Sequence, residues 1–178
     1  GVVEHTPIVD PWQPEPKGRA AGKSSPKVPK NTTALIPKNA KWSYLAGKQP
    51  RGSATDWTQT AFDHSSWPTA AAGFGYGDKD DVTYLSKMRG KYTTVYLRRE
   101  FDLPKGAKLD SIGLSVSYDD AFIAYLNGKE VLRVGVDKGQ GATADGFTLH
   151  EADNKFDYFP LKNVAKLLEP GGINVLAI

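Results

Sequence analysis

The chain has 178 residues, which is enough for one well-packed domain with appended segments and hardly enough for two. Its 18 Gly and 12 Pro favour many short strands over long helices, and the absence of cysteine excludes disulfides, thiolate metal sites and a cysteine nucleophile. The formal net charge is +3, and no run of about 20 apolar residues is present, so a membrane-spanning helix is excluded.

Residues 1–41 differ in composition from the rest of the chain. They contain seven of the 12 prolines, and seven Lys or Arg against three Asp or Glu. This composition predicts a linker or an extended arm, with a mobile linker over residues 13–33 and Trp12 docked on the domain. Residues 42–178 hold 16 Lys or Arg and 17 Asp or Glu, so the predicted domain is nearly neutral and specific nucleic-acid binding is not expected.

The first strand signal covers residues 41–45, and residues 46–90 are predicted to be mostly loop, with Trp57 and Trp67 as anchors. Within this loop, three carboxylates lie close together in the sequence: Asp78, Asp80 and Asp81. Carboxylates at this spacing can bind calcium through their oxygen atoms. The alternative interpretation is a solvated acidic turn.

The same loop region carries aromatic side chains that are suited to stacking on a sugar ring. The residues predicted to do so are Tyr76, Tyr84 and Trp57. Tyr76 and Tyr84 lie in a Gly-rich stretch and are the better candidates. The alternative interpretation places these rings in the core.

The strand predicted over residues 92–103 carries a charged residue on its apolar face. That face is made of four apolar residues, Val95, Leu97, Phe101 and Leu103. Arg99 falls on the same face by the period of two, which points its guanidinium inward. An inward guanidinium requires a partner, and we expect Asp119 or Asp120 to supply it. The alternative is that both carboxylates cap turn amides.

Residues 118–134, reading YDDAFIAYLNGKEVLRV, predict a β-hairpin. The Asn127-Gly128 pair favours a type I′ turn, whose two central residues have positive φ. A turn at this position would place Ala124 opposite Val131. Both faces of the hairpin then carry apolar residues, which indicates a strand pair inside a two-sheet sandwich or one whose second face is covered by loops or a ligand.

Further strands are predicted over residues 112–118, 156–161 and 173–178, with a helical turn over residues 161–168. Because an apolar strand closes the sequence, we expect a longer polypeptide. The sequence holds no nucleophile elbow, phosphate-binding loop or zinc-binding histidine pair, so no catalytic activity is predicted.

Several of these stretches together resemble the galactose-binding-like jelly-roll domains. They are WSYLAG from Trp42, WTQTAFDHSSW from Trp57, GFGYGDKDDVTYL from Gly73, YTTVYLRREFDLP from Tyr92, YDDAFIAYLNGKEVLR from Tyr118 and GGINVLAI from Gly171. Such domains accompany catalytic domains in secreted bacterial hydrolases and metallophosphoesterases. The sequence departs from the family pattern at Asp63-His64-Ser65, where two consecutive acidic residues are expected before the serine.

The resemblance implies an all-β jelly-roll β-sandwich over residues 42–178, with residues 1–41 as an extended N-terminal arm. It also implies a noncatalytic accessory module of an extracytoplasmic bacterial multidomain protein, whether secreted, periplasmic or at the cell surface. A structural calcium ion and a glycan are the implied ligands, and neighbouring domains or other subunits are the implied partners. The alternative function is a structural or assembly module that takes no small ligand.

Overall fold

Ten short strands make up the described part of the fold. A computed structural model of the chain describes residues 26–77, 81–141, 147–148, 150, 152 and 155–178. The strands are β1 (Lys41–Ala46), β2 (Thr69–Ala71), β3 (Phe74–Gly75), β4 (Thr83–Tyr84), β5 (Val95–Asp102), β6 (Ile112–Val116), β7 (Phe122–Leu126), β8 (Lys129–Val134), β9 (Asp157–Leu161) and β10 (Ile173–Ala177). Single turns of 3₁₀ helix cover Asp56–Thr58 and Ala165–Leu167. The predicted all-β class is confirmed, and no helix in these ranges is long and apolar enough to span a bilayer.

The strands form a sandwich of one large sheet and two small ones. The large sheet has six strands in the order β2-β1-β5-β10-β7-β8, and neighbouring strands are antiparallel. The small sheets pair β6 with β9 and β3 with β4. Leu114 of β6 and Phe159 of β9 pack against the core cluster that contains Phe122 and Leu176 of the large sheet. This packing confirms the predicted β-sandwich.

The large sheet is buried on both faces. The face away from β6 and β9 carries a second core cluster, made of Trp57, Trp67, Tyr96, Val175 and Ala177. Both tryptophans come from the loop between β1 and β2, so a loop covers this face. Successive residues of β10 therefore enter different cores, with Leu176 in the first and its two neighbours in the second.

The turn predicted between β7 and β8 is confirmed. Asn127 and Gly128 have φ values of 47° and 83°, as a type I′ turn requires. Asn127 also ties the hairpin to β10, because its Oδ1 accepts from Val175 N at 2.7 Å and its Nδ2 donates to Asn174 Oδ1 at 2.9 Å. Asn174 is fully buried and donates in turn to Glu169 O at 3.1 Å. These bonds fix the turn against a central strand of the sheet.

The register predicted for the hairpin is wrong beyond the turn. Ala124 pairs with Leu132 and not with Val131, because a β-bulge shifts the register between Ala124 and Tyr125. The extra residue turns Leu132 toward the first core and places Arg133 opposite Ile123. A bulge of this kind needs no special residue type, so no sequence pattern predicts it.

The buried arginine of β5 is Arg98, and the ion pair predicted for Arg99 is wrong. Arg98 is 1% exposed, whereas Arg99 is only partly buried and donates to Lys41 O at 2.9 Å. In the described residues, no ion pair joins Arg99 to Asp119 or Asp120. The Asp119 Oδ1 atom accepts from the Asp120 amide at 2.9 Å, in line with the alternative that these carboxylates cap turn amides. The Arg99 guanidinium meets the Lys41 carbonyl and not a carboxylate. Arg98 is the more deeply buried arginine because the loop with Trp57 covers the other face of β5.

Of the predicted N-terminal arm, the structure describes residues 26–41, of which Lys41 begins β1 and residues 26–40 precede it. Residues 26–40 contain turns and bends without a strand or helix, and most of them are exposed. Ile36 packs against the first core, and Lys38 Nζ lies 4.9 Å from the centre of the Phe156 ring. The end of this segment therefore contacts the sandwich. Residues 1–25, including Trp12, lie outside the described residues, and the domain boundary at residue 42 stays a prediction.

Candidate functional site

A groove lies where the loop after β1 meets the start of β5. Two adjoining cavities of about 350 and 290 Å³ share Lys48 and Gln49 in their walls. The other lining residues are Gly47, Tyr92, Thr93, Thr94 and Tyr96 for the larger cavity and Leu45, Arg51, Ser66 and Trp67 for the smaller one. Both are open depressions in the surface and not enclosed cavities. We call this surface the β1–β5 groove.

An aromatic wall of the groove is built on a glycine. Gly47 has a φ of +69°, and a Cβ at this position would lie 2.9 Å from Tyr92 Cδ1. A larger residue would therefore strain the backbone and displace the ring. Burial raises the pKa of Tyr92, and the neighbouring Tyr44 raises it further. Burial also raises the pKa of Tyr96, so this wall is uncharged near neutral pH.

Arg98 joins β5 to the loop that carries Trp67. Its Nη1 donates to Trp57 O at 3.0 Å and its Nη2 to Thr60 O at 3.1 Å. Its Nε donates to His64 Nδ1 at 3.1 Å, and His64 Nε2 lies 3.9 Å from Glu100 Oε1. Burial lowers the pKa of Arg98, and the Glu100 carboxylate opposes that shift. The buried cation thus fixes the loop between β1 and β2 against β5.

Trp67 gives the smaller cavity an apolar side. Its ring stacks on Trp57 with centroids 6.4 Å apart, and the Phe62 ring meets it edge-on at 5.9 Å. Arg51 lines the same cavity and donates from Nη2 to Ser66 Oγ at 3.4 Å. An aromatic ring and hydrogen-bonding groups therefore border the same space.

The fold brings Tyr76 and Tyr84 close together, because Gly75 pairs with Tyr84, and separates Trp57 from both. Tyr84 on β4 is 60% exposed and Tyr76 after β3 is 39% exposed, so both rings are accessible and their role stays a prediction. Trp57 is 2% exposed and packs edge-on against Tyr96 at 5.1 Å. The ligand-binding prediction for Trp57 is wrong, because the loop that covers the second face carries this ring into the core.

Of the carboxylates predicted to bind calcium, the structure describes Asp81. A Cβ added to Gly75 would overlap the Asp81 carboxylate, so the glycine leaves room for it beside β3. Asp78 and Asp80 lie outside the described residues. Among the side chains that are described, no group of three or more His, Cys, Asp or Glu is placed to hold a metal ion. Calcium binding by this loop stays a prediction.

Asp120, the second of the two consecutive acidic residues before β7, contacts a residue of the segment before β9. Asp120 Oδ1 accepts from His150 N at 3.1 Å, and the His150 ring stacks on Tyr118 with centroids 4.1 Å apart. The Nδ1 atom of His150 also lies 3.0 Å from Tyr118 O. These contacts fix the start of β7 against the segment before β9.

The β1–β5 groove was not predicted from the sequence. Its polar residues come from two loops that are far apart in the chain, and only the pairing of β1 with β5 brings Lys48 and Thr93 together. The buried Arg98 did have a signal, which is the Arg-Arg pair in an apolar strand. We assigned that signal to the wrong member of the pair.

Comparisons with protein-family models and with curated proteins give no match, whereas solved structures do match the chain. A Bacteroides uniformis β-glucuronidase 2, covalently bound to cyclophellitol-6-carboxylate aziridine, is 25% identical with a TM-score of 0.46, over 78% of this chain and 13% of that chain. A glycosyl hydrolase family 2 member from Bacteroides cellulosilyticus DSM 14838 is 17% identical with a TM-score of 0.44, over 78% and 16% of the two chains. A Faecalibacterium prausnitzii β-glucuronidase is 20% identical with a TM-score of 0.46, over 78% and 19%. The chain therefore spans less than a fifth of the length of each of these three proteins.

Proposed function

We propose that the chain is a noncatalytic accessory β-sandwich module that binds carbohydrate in the β1–β5 groove. A sugar offers apolar C–H faces and hydroxyl edges, so its site needs aromatic surface and hydrogen-bonding groups in one space. The groove supplies the partly exposed ring of Tyr92 together with the polar side chains of Gln49 and Thr93. This combination in one groove is the observation that carries the proposal.

Glycan-array screening followed by calorimetry with the strongest array ligand tests this site. We expect Tyr92→Ala to weaken binding about five- to tenfold, because it removes a ring of the groove wall. Tyr84→Ala is the matched control, since it removes an exposed tyrosine outside the groove. Loss of binding in Tyr84→Ala and not in Tyr92→Ala would place the site on the residues predicted from the sequence instead.

The proposed setting is an extracytoplasmic bacterial multidomain protein, in which the module contacts neighbouring domains. The resemblance of its motifs to accessory jelly-roll domains supports this setting.

A structural calcium ion at Asp78, Asp80 and Asp81 is part of the proposal. Calcium titration by calorimetry, with a parallel thermal-shift measurement, tests it, and the absence of both heat and shift would rule the ion out.

A second function, packing against a neighbouring domain or subunit, is favoured by the surface of β3 and β4. Val82 is 70% exposed and Tyr84 is 60% exposed, and contiguous exposed apolar side chains are typical of contact surfaces. If this surface joins copies of the chain, sedimentation should show self-association that Val82→Ser and Tyr84→Ser reduce. A monomer at all concentrations would count against contact between copies.

A further inference from the structure

The lining of the β1–β5 groove is positively charged. Lys48 and Arg51 belong to its walls, and both are exposed. Within the described residues, neither cation has an ion-pair partner, and no Asp or Glu lines either cavity. The positive charge of the groove is therefore not neutralised by acidic residues of its own lining.

The two cations occupy distinct positions. Lys48 belongs to the wall that both cavities share, whereas Arg51 lines the smaller cavity together with Trp67. The 3.4 Å contact with Ser66 Oγ uses one of the five guanidinium donors of Arg51. A ligand that enters the smaller cavity thus meets an aromatic ring and a planar cation together.

Asp63 is an acidic side chain whose pKa is affected by the charge of Arg51. Its pKa is lowered first by the hydrogen bonds from Ser65 and to a smaller extent by the Arg51 charge. Asp63 Oδ1 already accepts from Ser65 N at 2.9 Å. In the described part of the chain, no hydrogen bond or ion pair joins Asp63 to Arg51. This carboxylate therefore leaves the guanidinium donors of Arg51 to an incoming ligand.

We propose that the β1–β5 groove selects acidic saccharides, a refinement that rests on the proposed function. A carboxylate or sulfate group of the sugar binds Arg51 through paired hydrogen bonds and is attracted by Lys48. The C–H face of the sugar ring packs against Tyr92, which is partly exposed and lines the adjoining larger cavity. A neutral saccharide gains the ring contact without the charge attraction.

Calorimetry with a matched set of ligands tests the selection. The set is a hexuronic-acid oligosaccharide, the same oligosaccharide after reduction of its carboxyl groups, a sulfated oligosaccharide of equal length, and polyglutamate. We expect the acidic oligosaccharides to bind about tenfold more tightly than the reduced one, with a preference that shrinks at high salt. Arg51→Gln and Lys48→Gln should each reduce the ratio between the affinity for the acidic oligosaccharides and the affinity for the reduced one. Lys129→Gln, on the strand at the far edge of the large sheet, is the control that should leave this ratio unchanged.

The possible outcomes separate the two proposals. Equal binding of the acidic and the reduced oligosaccharides, lost in Tyr92→Ala, would overturn the selection for acidic sugars and keep the proposed function. Binding of no saccharide would overturn both. Equally tight binding of polyglutamate would show a nonspecific attraction to anions and would also overturn the selection. A preference for either acidic oligosaccharide that depends on Arg51 supports it.

Discussion

His64 stands beside a buried guanidinium at a place where a carboxylate would neutralise the charge. Arg98 is 1% exposed, and its hydrogen bonds go to two backbone carbonyls and to the neutral imidazole nitrogen. The carboxylate that it approaches is Glu100, at 3.8 Å, and the Glu100 side chain is 43% exposed. A buried charge with a partial partner is costly to the folded state.

We therefore expect His64→Asp to stabilise the protein. An aspartate Oδ1 branches from the same carbon position as the histidine Nδ1, so it can accept the hydrogen bond of Arg98 Nε and add a negative charge. The gain should be about 1–2 kcal/mol, since hydrogen bonds to charged groups are stronger than neutral ones. Thermal denaturation near neutral pH measures it. His64→Asn is the matched neutral control, and an aspartate variant no more stable than the asparagine variant would contradict the argument.

Arg98 and Arg99 show what the alternation of a strand can predict about a single residue and what it cannot. The period of two correctly separated Arg98 from Arg99 onto opposite faces. It carried no information about what covers each face. Only the position of the loop with Trp57 and Trp67, which depends on long-range packing, decides that Arg98 is the buried one.

At the scale of the element, β8 is shaped by its bulge and by an ion pair. Arg133 donates from Nε and Nη2 to the Glu130 carboxylate at 2.9 and 2.8 Å. Its Nη1 donates to Asp137 O at 3.1 Å and to Gln140 O at 2.7 Å. Arg133 thus connects the strand to the loop that follows it. The sequence predicted the turn because Asn-Gly has a conformational signature, whereas the bulge and this contact have none.

The Glu130–Arg133 pair predicts a pH dependence of stability. The hydrogen bonds from Arg133 hold the pKa of Glu130 below its ordinary value of 4.5. The pair therefore contributes its full stability above pH 4.5 and loses it as the pH falls through the lowered pKa of the folded state. Glu130→Gln should reduce stability near neutral pH and flatten the loss of stability in acid.

Urea denaturation at a series of pH values measures this effect. Asp110→Asn, which removes an exposed carboxylate away from β8, is the control and should leave the difference between neutral and acid stability close to that of the unchanged chain. An acid profile of Glu130→Gln identical to that of the unchanged chain would show that the pair does not stabilise the fold.

At the scale of the whole molecule, the sandwich depends on a loop for one of its two coverings. β6 and β9 cover the first face of the large sheet, and the loop with Trp57 covers the second. Three aromatic rings, those of Trp67, Tyr96 and Tyr125, lie within 6.4 Å of the Trp57 ring between centroids. The loop is therefore part of the core.

Trp57→Ala should destabilise the protein by about 3–5 kcal/mol, because it leaves a large cavity in the second core. Urea denaturation measures the loss through the transition midpoint, with an unchanged slope as evidence for two-state unfolding. Val82→Ala, at a side chain that is 70% exposed, is the control and should change stability by less than about 0.5 kcal/mol. A small loss in Trp57→Ala would mean that the loop is not required to cover the sheet.

The sequence predicted the fold of this molecule better than its site. Strand periodicity and turn chemistry are local, so the all-β class, the hairpin turn and the positions of most strands followed from them. The groove depends on the meeting of Lys48 and Arg51 from one loop with Thr93 from another. None of these residues has a local pattern that distinguishes it from an ordinary surface residue.

The place of β10 in the large sheet sets the order in which the molecule can fold. β10 joins β5 to β7, although it is the last of the six strands in chain order. Before residues 173–177 leave the ribosome, the sheet exists as two separate parts, β2-β1-β5 and β7-β8, each with an unpaired edge. Closure of the sheet therefore waits for synthesis of β10, and a chain cut before Ile173 would present two edges for aggregation at once.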